Sequence, residues 1–194
     1  VADELRADAR RNRDAVLAAA RLVFAENGLD APLDAIARRA GVGRATIYRR
    51  FPTRETLIRA MFDSTIDALQ EVVDEAAPDA AFVEAIVAAT DMLGADRGFV
   101  DAVGRRPDLQ LIAEHVESRF LGVVTGPLRR AQRAGNVRRD LKPQDTLVLL
   151  DMLSGAARTG GGRERRALAL LLDALRPPVR RRGSGRARSG RATR

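Results

Sequence analysis

"GVGRATIYRRFPTRE", residues 41–55, gathers Arg44, Arg49, Arg50 and Arg54 around Tyr48, the only tyrosine of the chain. Glycines break the chain in front of this segment and Pro52 stops it behind, so "RATIYRRF" reads as one short helix. Ahead of the glycines, "PLDAIARRA" predicts another, with Pro32 at its first helical position and Asp34 in its first turn. Leu33, Ile36, Ala37 and Ala40 give that helix an apolar face. A longer amphipathic helix over 10–27 precedes both, on the spacing of Val16, Leu17, Ala20, Val23 and Phe24, with Gly28 as its stop. Two short helices joined by a glycine turn and braced by a longer one describe a helix-turn-helix unit.

The second helix of such a unit lies in the major groove and presents its N-terminal residues to base edges. Arg44 can bond guanine O6 and N7, Ala45 can touch a thymine methyl, and Thr46 can bond base or phosphate. Ile47 and Phe51, four apart, face inward. Tyr48, Arg49, Arg50 and Arg54 are left for phosphates, and the N–H groups at the start of the helix after Pro52 can add to them. The expected partner is double-stranded DNA. A solvated basic face would explain the charges alone, and not their coincidence with the glycine turn and the two short helices.

Composition narrows the rest. The 194 residues are 45% hydrophobic, 31% charged and 4% aromatic, a profile that suits packed helices. There is no cysteine and one histidine, His115, so a disulfide framework, a thiolate site and a multi-histidine metal site are excluded. No cofactor, metal or enzymatic activity is expected: no Gly-rich phosphate loop in a strand-helix context and no nucleophile constellation is present. No apolar run approaches a membrane span and no signal peptide is read, so a cytoplasmic protein with no membrane partner is expected. The net charge of +8 is local: "RPPVRRRGSGRARSGRATR", from Arg176 onward, holds eight of the 34 Lys and Arg residues and no acid. Residues 177–194 read as a disordered Arg-rich tail.

Beyond the opening unit the periodicity stays helical. "TRETLIRAMFDSTIDALQEVVDEAA" opens on Thr53 as N-cap, with a stripe of Leu57, Met61, Ile66, Leu69 and Val73. Further helices are predicted near 79–95, 99–105, 107–134, 143–158 and 163–176, broken at Gly94, Gly98, Pro107, "AGNVRRDLKP" and Gly160–Gly162. The expected class is all-α, with about nine helices.

Residues 12–62 resemble the DNA-binding domain of the TetR family of bacterial transcriptional repressors. "AARLVFAENG", "IARRAGVGRATIYRRFPTRETLIRAMF" and the spacing between them carry the resemblance. It implies a recognition helix over Arg44–Arg50 with Thr46 and Tyr48 at contact positions, and Arg54 where the family has a phosphate-binding lysine. Gly43 stands where a serine is usual, Arg50 where a histidine is usual, and "DAPLDAIA" is one residue shorter than the common version. The implied organisation is a DNA-binding domain over 1–62 and an effector-binding, dimerising helical domain over 63–176.

In that second domain, "TLVLLDML" and "ALALLLDAL" are apolar most of the way round and must be covered on more than one face. Paired with a second copy they would form a four-helix interface. Leu147, Leu149, Leu150, Leu153, Leu168, Leu171 and Leu172 are the interface candidates, and a homodimer implies a palindromic operator. An unknown small-molecule effector is expected among the helices between residues 62 and 123. Its candidate contacts are Phe62, Ile66, Ile86, Thr90, Ile112, His115, Arg119 and Phe120. A lone His115 beside Arg119 reads more often as a surface or rim residue, with an acidic ligand as the alternative; Arg119 could equally pair with Glu114 or Glu117 or extend into solvent, while Met92, Phe99 and Met152 read as core. The leading expectation is a ligand-released repressor. The alternative is a constitutive nucleic-acid-associated protein that uses its Arg-rich tail and senses nothing.

Overall fold

The computed structural model describes residues 2–158 and 162–177, and among these every regular element is helical. The order is α1 (Ala2–Asn27), α2 (Leu33–Ala40), α3 (Arg44–Arg50), α4 (Arg54–Glu75), α5 (Ala81–Ala95), α6 (Arg97–Gly104), a 3-10 turn at Pro107–Leu109, α7 (Gln110–Ala134), α8 (Asp145–Arg158) and α9 (Arg163–Leu175).

The boundaries follow local chemistry. Gly41 ends α2 in the left-handed region (φ 68°), where a side chain would be strained, and its N–H reaches back to the last carbonyls of α2. Thr53 caps α4 reciprocally with Thr56: each side-chain oxygen accepts from the other's backbone N–H at 3.2 Å. Three boundaries differ from the sequence reading. α1 begins at Ala2 and not near residue 10, because "ADELRADARRN" is highly charged and lacks a sustained apolar stripe, while its residue types favour helix. Pro32 is the extended residue before α2 and not its first helical residue (φ −69°, ψ 143°). Gly94 and Gly98 lie inside α5 and α6, and the break falls at Asp96. A helix tolerates an internal glycine at a cost of about 1 kcal/mol when packing favours continuation.

Two apolar cores form. The first joins α1, α2 and α3 to Leu57, Ile58 and Met61 of α4, and is completed by Phe99, Val103, Leu109 and Ile112 from farther along the chain. The Phe99 ring sits 6.0 Å from Phe24 and 5.2 Å from Phe62, centroid to centroid. The second joins Ile66, Leu69 and Val73 of α4 to α5, α7, α8 and α9. α4 and α7 contribute to both cores, so a displacement of either is felt in both. A backbone bond of 2.8 Å from Arg138 N–H to the Leu175 carbonyl fixes the end of α9 beside the turn after α7.

Candidate functional site

α3 is anchored by Ile47 and by Phe51 just beyond its end, both buried. Anchoring from beneath leaves Arg44, Ala45, Tyr48, Arg49 and Arg50 exposed, with Thr46 half-buried and Gly43 exposed at the entry. Arg44 stands over the Tyr48 ring at 5.6 Å and its Nε lies 3.1 Å from Asp34 Oδ1, so α2 holds this side chain at the front of the helix. Thr46, Arg49 and Arg50 line an open cleft against the middle turns of α1, opposite Asn12 and Arg13. Asn12 and Arg13 were not among the sequence candidates. They sit in the charged run of α1 that carries no helix-turn-helix signal of its own.

Arg54 is placed differently from its expected phosphate role. Its guanidinium donates to the Asp30 carboxylate and to the Asp30 carbonyl, both at 3.1 Å. Arg106 reaches the same carboxylate at 3.1 and 3.3 Å while also donating twice to Asp108 at 2.9 Å. Hydrogen bonding from Arg106 is the main cause that holds the Asp108 carboxyl below the usual carboxylate range. The start of α4 is also occupied: the Glu55 carboxyl is lowered first by its own backbone N–H and then by Thr53. The sequence signal for a phosphate site at this helix start missed the internal acids that fill it.

The second site is a cavity of about 200 Å³ between α4, α5, α7 and α8, closed at one side by Val100 of α6. Phe62, Ile66 and Phe120 line it, as do Thr65, Leu69, Ala89, Met92, Leu93, Val116, Leu147 and Leu150. Met92, read from the sequence as core, therefore contributes to its wall. The other effector candidates lie elsewhere. Ile86 is fully buried in the second core, and the Thr90 hydroxyl is satisfied by the Ile86 carbonyl at 2.7 Å. Ile112 belongs to the first core.

His115 and Arg119 form a joint between α7 and α4, which is neither the acidic-ligand alternative nor a pairing of Arg119 with Glu114 or Glu117. His115 Nε2 and Arg119 each sit 2.8 Å from Asp63 Oδ1, and Arg119 also donates to Asp67 at 2.8 Å. Arg59 approaches His115 Nδ1 at 3.3 Å. Arginine has no acceptor, so Nδ1 accepts there and the histidine donates from Nε2. Burial alone would raise the Asp63 carboxyl, but the hydrogen bonds from Arg119 and His115 outweigh it and hold the carboxyl below its ordinary value. The pairing is invisible in sequence because the partners are 52 and 56 residues apart.

Arg21 of α1 connects the two sites. Its Nε donates to Asp96 at 2.9 Å and its terminal nitrogen to the Thr65 hydroxyl at 3.3 Å. Thr65 is itself in the cavity wall.

On α8 and α9 the dimer candidates divide. Leu150, Leu153 and Leu171, named above as interface candidates, are buried in the chain's own second core. Leu147, Leu149, Leu168 and Leu172 are half-buried against it. Val148, Met152 and Leu170 are 57%, 62% and 52% exposed, so Met152 is not core here. A helix apolar on all sides does not reveal from sequence which stripe is inner. The residues from 178 onward, which hold most of the expected tail, lie outside the described residues.

Among the described residues no cluster of three or more His, Asp or Glu could hold a metal, and no helix is long and apolar enough to cross a membrane.

Comparison with known proteins agrees with this geometry. Residues 16–61 match the model of the bacterial regulatory proteins of the tetR family. Residues 77–177 match that of the C-terminal domain of SbtR-like transcriptional regulators. An uncharacterized HTH-type transcriptional regulator of Mycobacterium tuberculosis is 35% identical over 141 residues, 70% of this chain and 75% of the relative. The HTH-type transcriptional repressor LfrR of Mycolicibacterium smegmatis is 40% identical over 75 residues, 39% of each chain. The crystal structure of a TetR transcription regulatory protein from Mycobacterium vanbaalenii is 37% identical, covers 89% of this chain and 99% of its own, and superimposes with a TM-score of 0.64.

Proposed function

The chain belongs to the tetR family of bacterial regulatory proteins and is a helix-turn-helix transcriptional regulator, and from that premise we propose that it is a homodimeric repressor released from a palindromic operator by a small-molecule effector, acting in the cytoplasm. The observation that carries the effector reading is the apolar cavity walled by α4, the helix that begins directly behind the recognition helix α3. LfrR, a relative that bears the name repressor, supports the sign of the regulation.

In this reading Arg44, Ala45 and Thr46 meet base edges, and Tyr48, Arg49 and Arg50 hold phosphates. Asn12 and Arg13 add polar contacts from the middle of α1. Two copies joined through the exposed stripe of α8 and α9 set their recognition helices one DNA turn apart, about 34 Å. An occupant of the cavity presses on Phe62, Thr65 and Ile66 of α4 and alters the Arg21 bridge to α1. The population then shifts toward a spacing that no longer matches successive major grooves. Arg54 stays with Asp30 and keeps the loop before α2 fixed to α4.

The test begins with selection of duplexes from a random-sequence pool by the full chain. Recovery of a two-fold symmetric site, bound by a dimer, supports the reading. Recovery of no preferred sequence, with the logarithm of the binding constant falling linearly against the logarithm of salt concentration, favours constitutive non-specific binding instead.

A further inference from the structure

We propose that the ligand of the α4–α5–α7–α8 cavity is a compact lipophilic cation, an apolar body of one or two rings' size carrying a protonated amine. This rests on the effector reading of that cavity and adds the chemistry of its occupant. The size follows from the volume: about 200 Å³ is little more than the roughly 150 Å³ of an engineered cavity that accepts benzene.

The charge follows from the wall. Apart from hydrocarbon and the Met92 thioether, the side-chain polar groups in it are Thr65, Glu117 and Asp151. The Thr65 hydroxyl donates to the Met61 carbonyl at 3.2 Å and receives Arg21, so its one proton is committed. Glu117 and Asp151 are exposed members of the wall and therefore stand where it opens to solvent. No described cation pairs with either carboxylate. All the wall residues lie within helices, where backbone N–H groups are used internally; Leu147, at the start of α8, gives its N–H to the Gln144 carbonyl at 3.1 Å. The wall thus offers acceptors and negative charge, and no free donor. A carboxylate or phosphate ligand would lie beside two like charges with nothing to donate to it. An ammonium would find carboxylate acceptors in the wall, with its apolar body against Phe62, Ile66 and Phe120. His115 and Arg119, the basic side chains nearest to Glu117 in sequence, are committed to Asp63 and Asp67 across the α4–α7 joint.

The experiment is calorimetric titration of the full chain with phenylbutylammonium, phenylbutanol and phenylbutanoate, which share a carbon skeleton and differ in charge. The expected result is an ammonium that binds about tenfold more tightly than the alcohol, with the carboxylate weaker still. In the Glu117→Gln/Asp151→Asn double variant the ammonium and the alcohol should bind alike. Both positions are exposed, so the double variant keeps the fold. Ala89→Phe, or Val116→Phe if the first does not fold, should abolish binding of all three probes by filling the cavity. Equal or tighter binding of alcohol or carboxylate overturns the assignment. So does an ammonium preference that survives the double variant, binding that survives a folded cavity-filling variant, or failure of all three to bind. Release of the selected duplex is measured in parallel. Ammonium that binds with the expected preference and leaves the duplex bound upholds the ligand class and defeats the effector reading. An alcohol or carboxylate that binds more tightly and releases the duplex does the reverse.

Discussion

α3 and the joint between α4 and α7 are both rich in arginine, and they use the residue in opposite ways. On α3, Arg49 and Arg50 are exposed and no described acid pairs with them. At the joint, Arg119 meets Asp63 and Asp67, with its guanidinium pKa raised first by the hydrogen bond to Asp67 and then by that to Asp63. Between these lies Arg54, near the recognition helix in sequence yet paired with Asp30 as the joint residues are with theirs. An arginine matched by an internal acid holds the fold together. An arginine left without one leaves its charge for a partner. The same distinction applies to apolar side chains: Leu153 is satisfied within the chain, whereas Met152 beside it is not.

If that distinction is sound, the largest effect comes from disturbing an unsatisfied apolar face. Met152→Glu or Val148→Glu places a charge on the exposed stripe of α8 and leaves the inner stripe intact. Either variant should fold as a monomer, because burying an unpaired carboxylate across an interface costs several kcal/mol. Sedimentation of an unchanged dimer for both would place the interface elsewhere. Leu153→Glu, by contrast, should fail to fold, since its site is the chain's own core.

Next is Arg44, which faces both ways through its pairing with Asp34. Arg44→Ala should lower affinity for the selected duplex by about 1–3 kcal/mol and relax preference at one base position per half-site. A duplex selection that returns the same sequence logo would remove Arg44 from base reading and leave it a partner of Asp34 alone. Arg49→Ala and Arg50→Ala sharpen the contrast further. Each should weaken all duplexes about equally, and the salt dependence of binding should become shallower by about one for each phosphate that is no longer neutralised. Arg54→Ala should instead lower the melting temperature with little change in that slope, since its charge is already met by Asp30.

Much of this contrast was legible in the residues, and its limits have a physical cause. α3 and the Thr53 cap depend on neighbours within a few positions, so "GVGRATIYRRFPT" reveals both. The orientation of Ile47 and Phe51 follows from their four-residue spacing in the same way. The Arg54–Asp30 pair, the Asp63 cluster and the Arg21 bridge depend on how distant segments pack together, at separations of 24 to 75 residues. No local pattern carries such pairings. His115 and Arg119 therefore resembled a ligand site, because each was visible and their acid partners were not. The cavity suffered in the same way: Phe62, Ile66 and Phe120 lie on apolar stripes, whereas Glu117 and Asp151 resemble any solvated acids until α7 and α8 are set side by side.

The smallest expected effect lies on the satisfied side, at Asp63. Its folded carboxyl is held below the ordinary range by Arg119 and His115, so the unfolded chain takes up the proton at higher pH than the native one. The resulting stability is present above the ordinary carboxylate pKa and is lost as pH falls through the lowered native value. Asp63→Asn removes that dependence and leaves His115 and Arg119 without their shared acid. The group is partly exposed and open to screening, so the loss at neutral pH should be about 1 kcal/mol or less. Urea titrations of both proteins from neutral pH down to about pH 3 would show it as two curves that converge on acidification. Parallel curves would mean that Asp63 carries no net stabilisation. A variant that retained its stability but lost effector response would mean that the joint acts only in coupling α4 to α7.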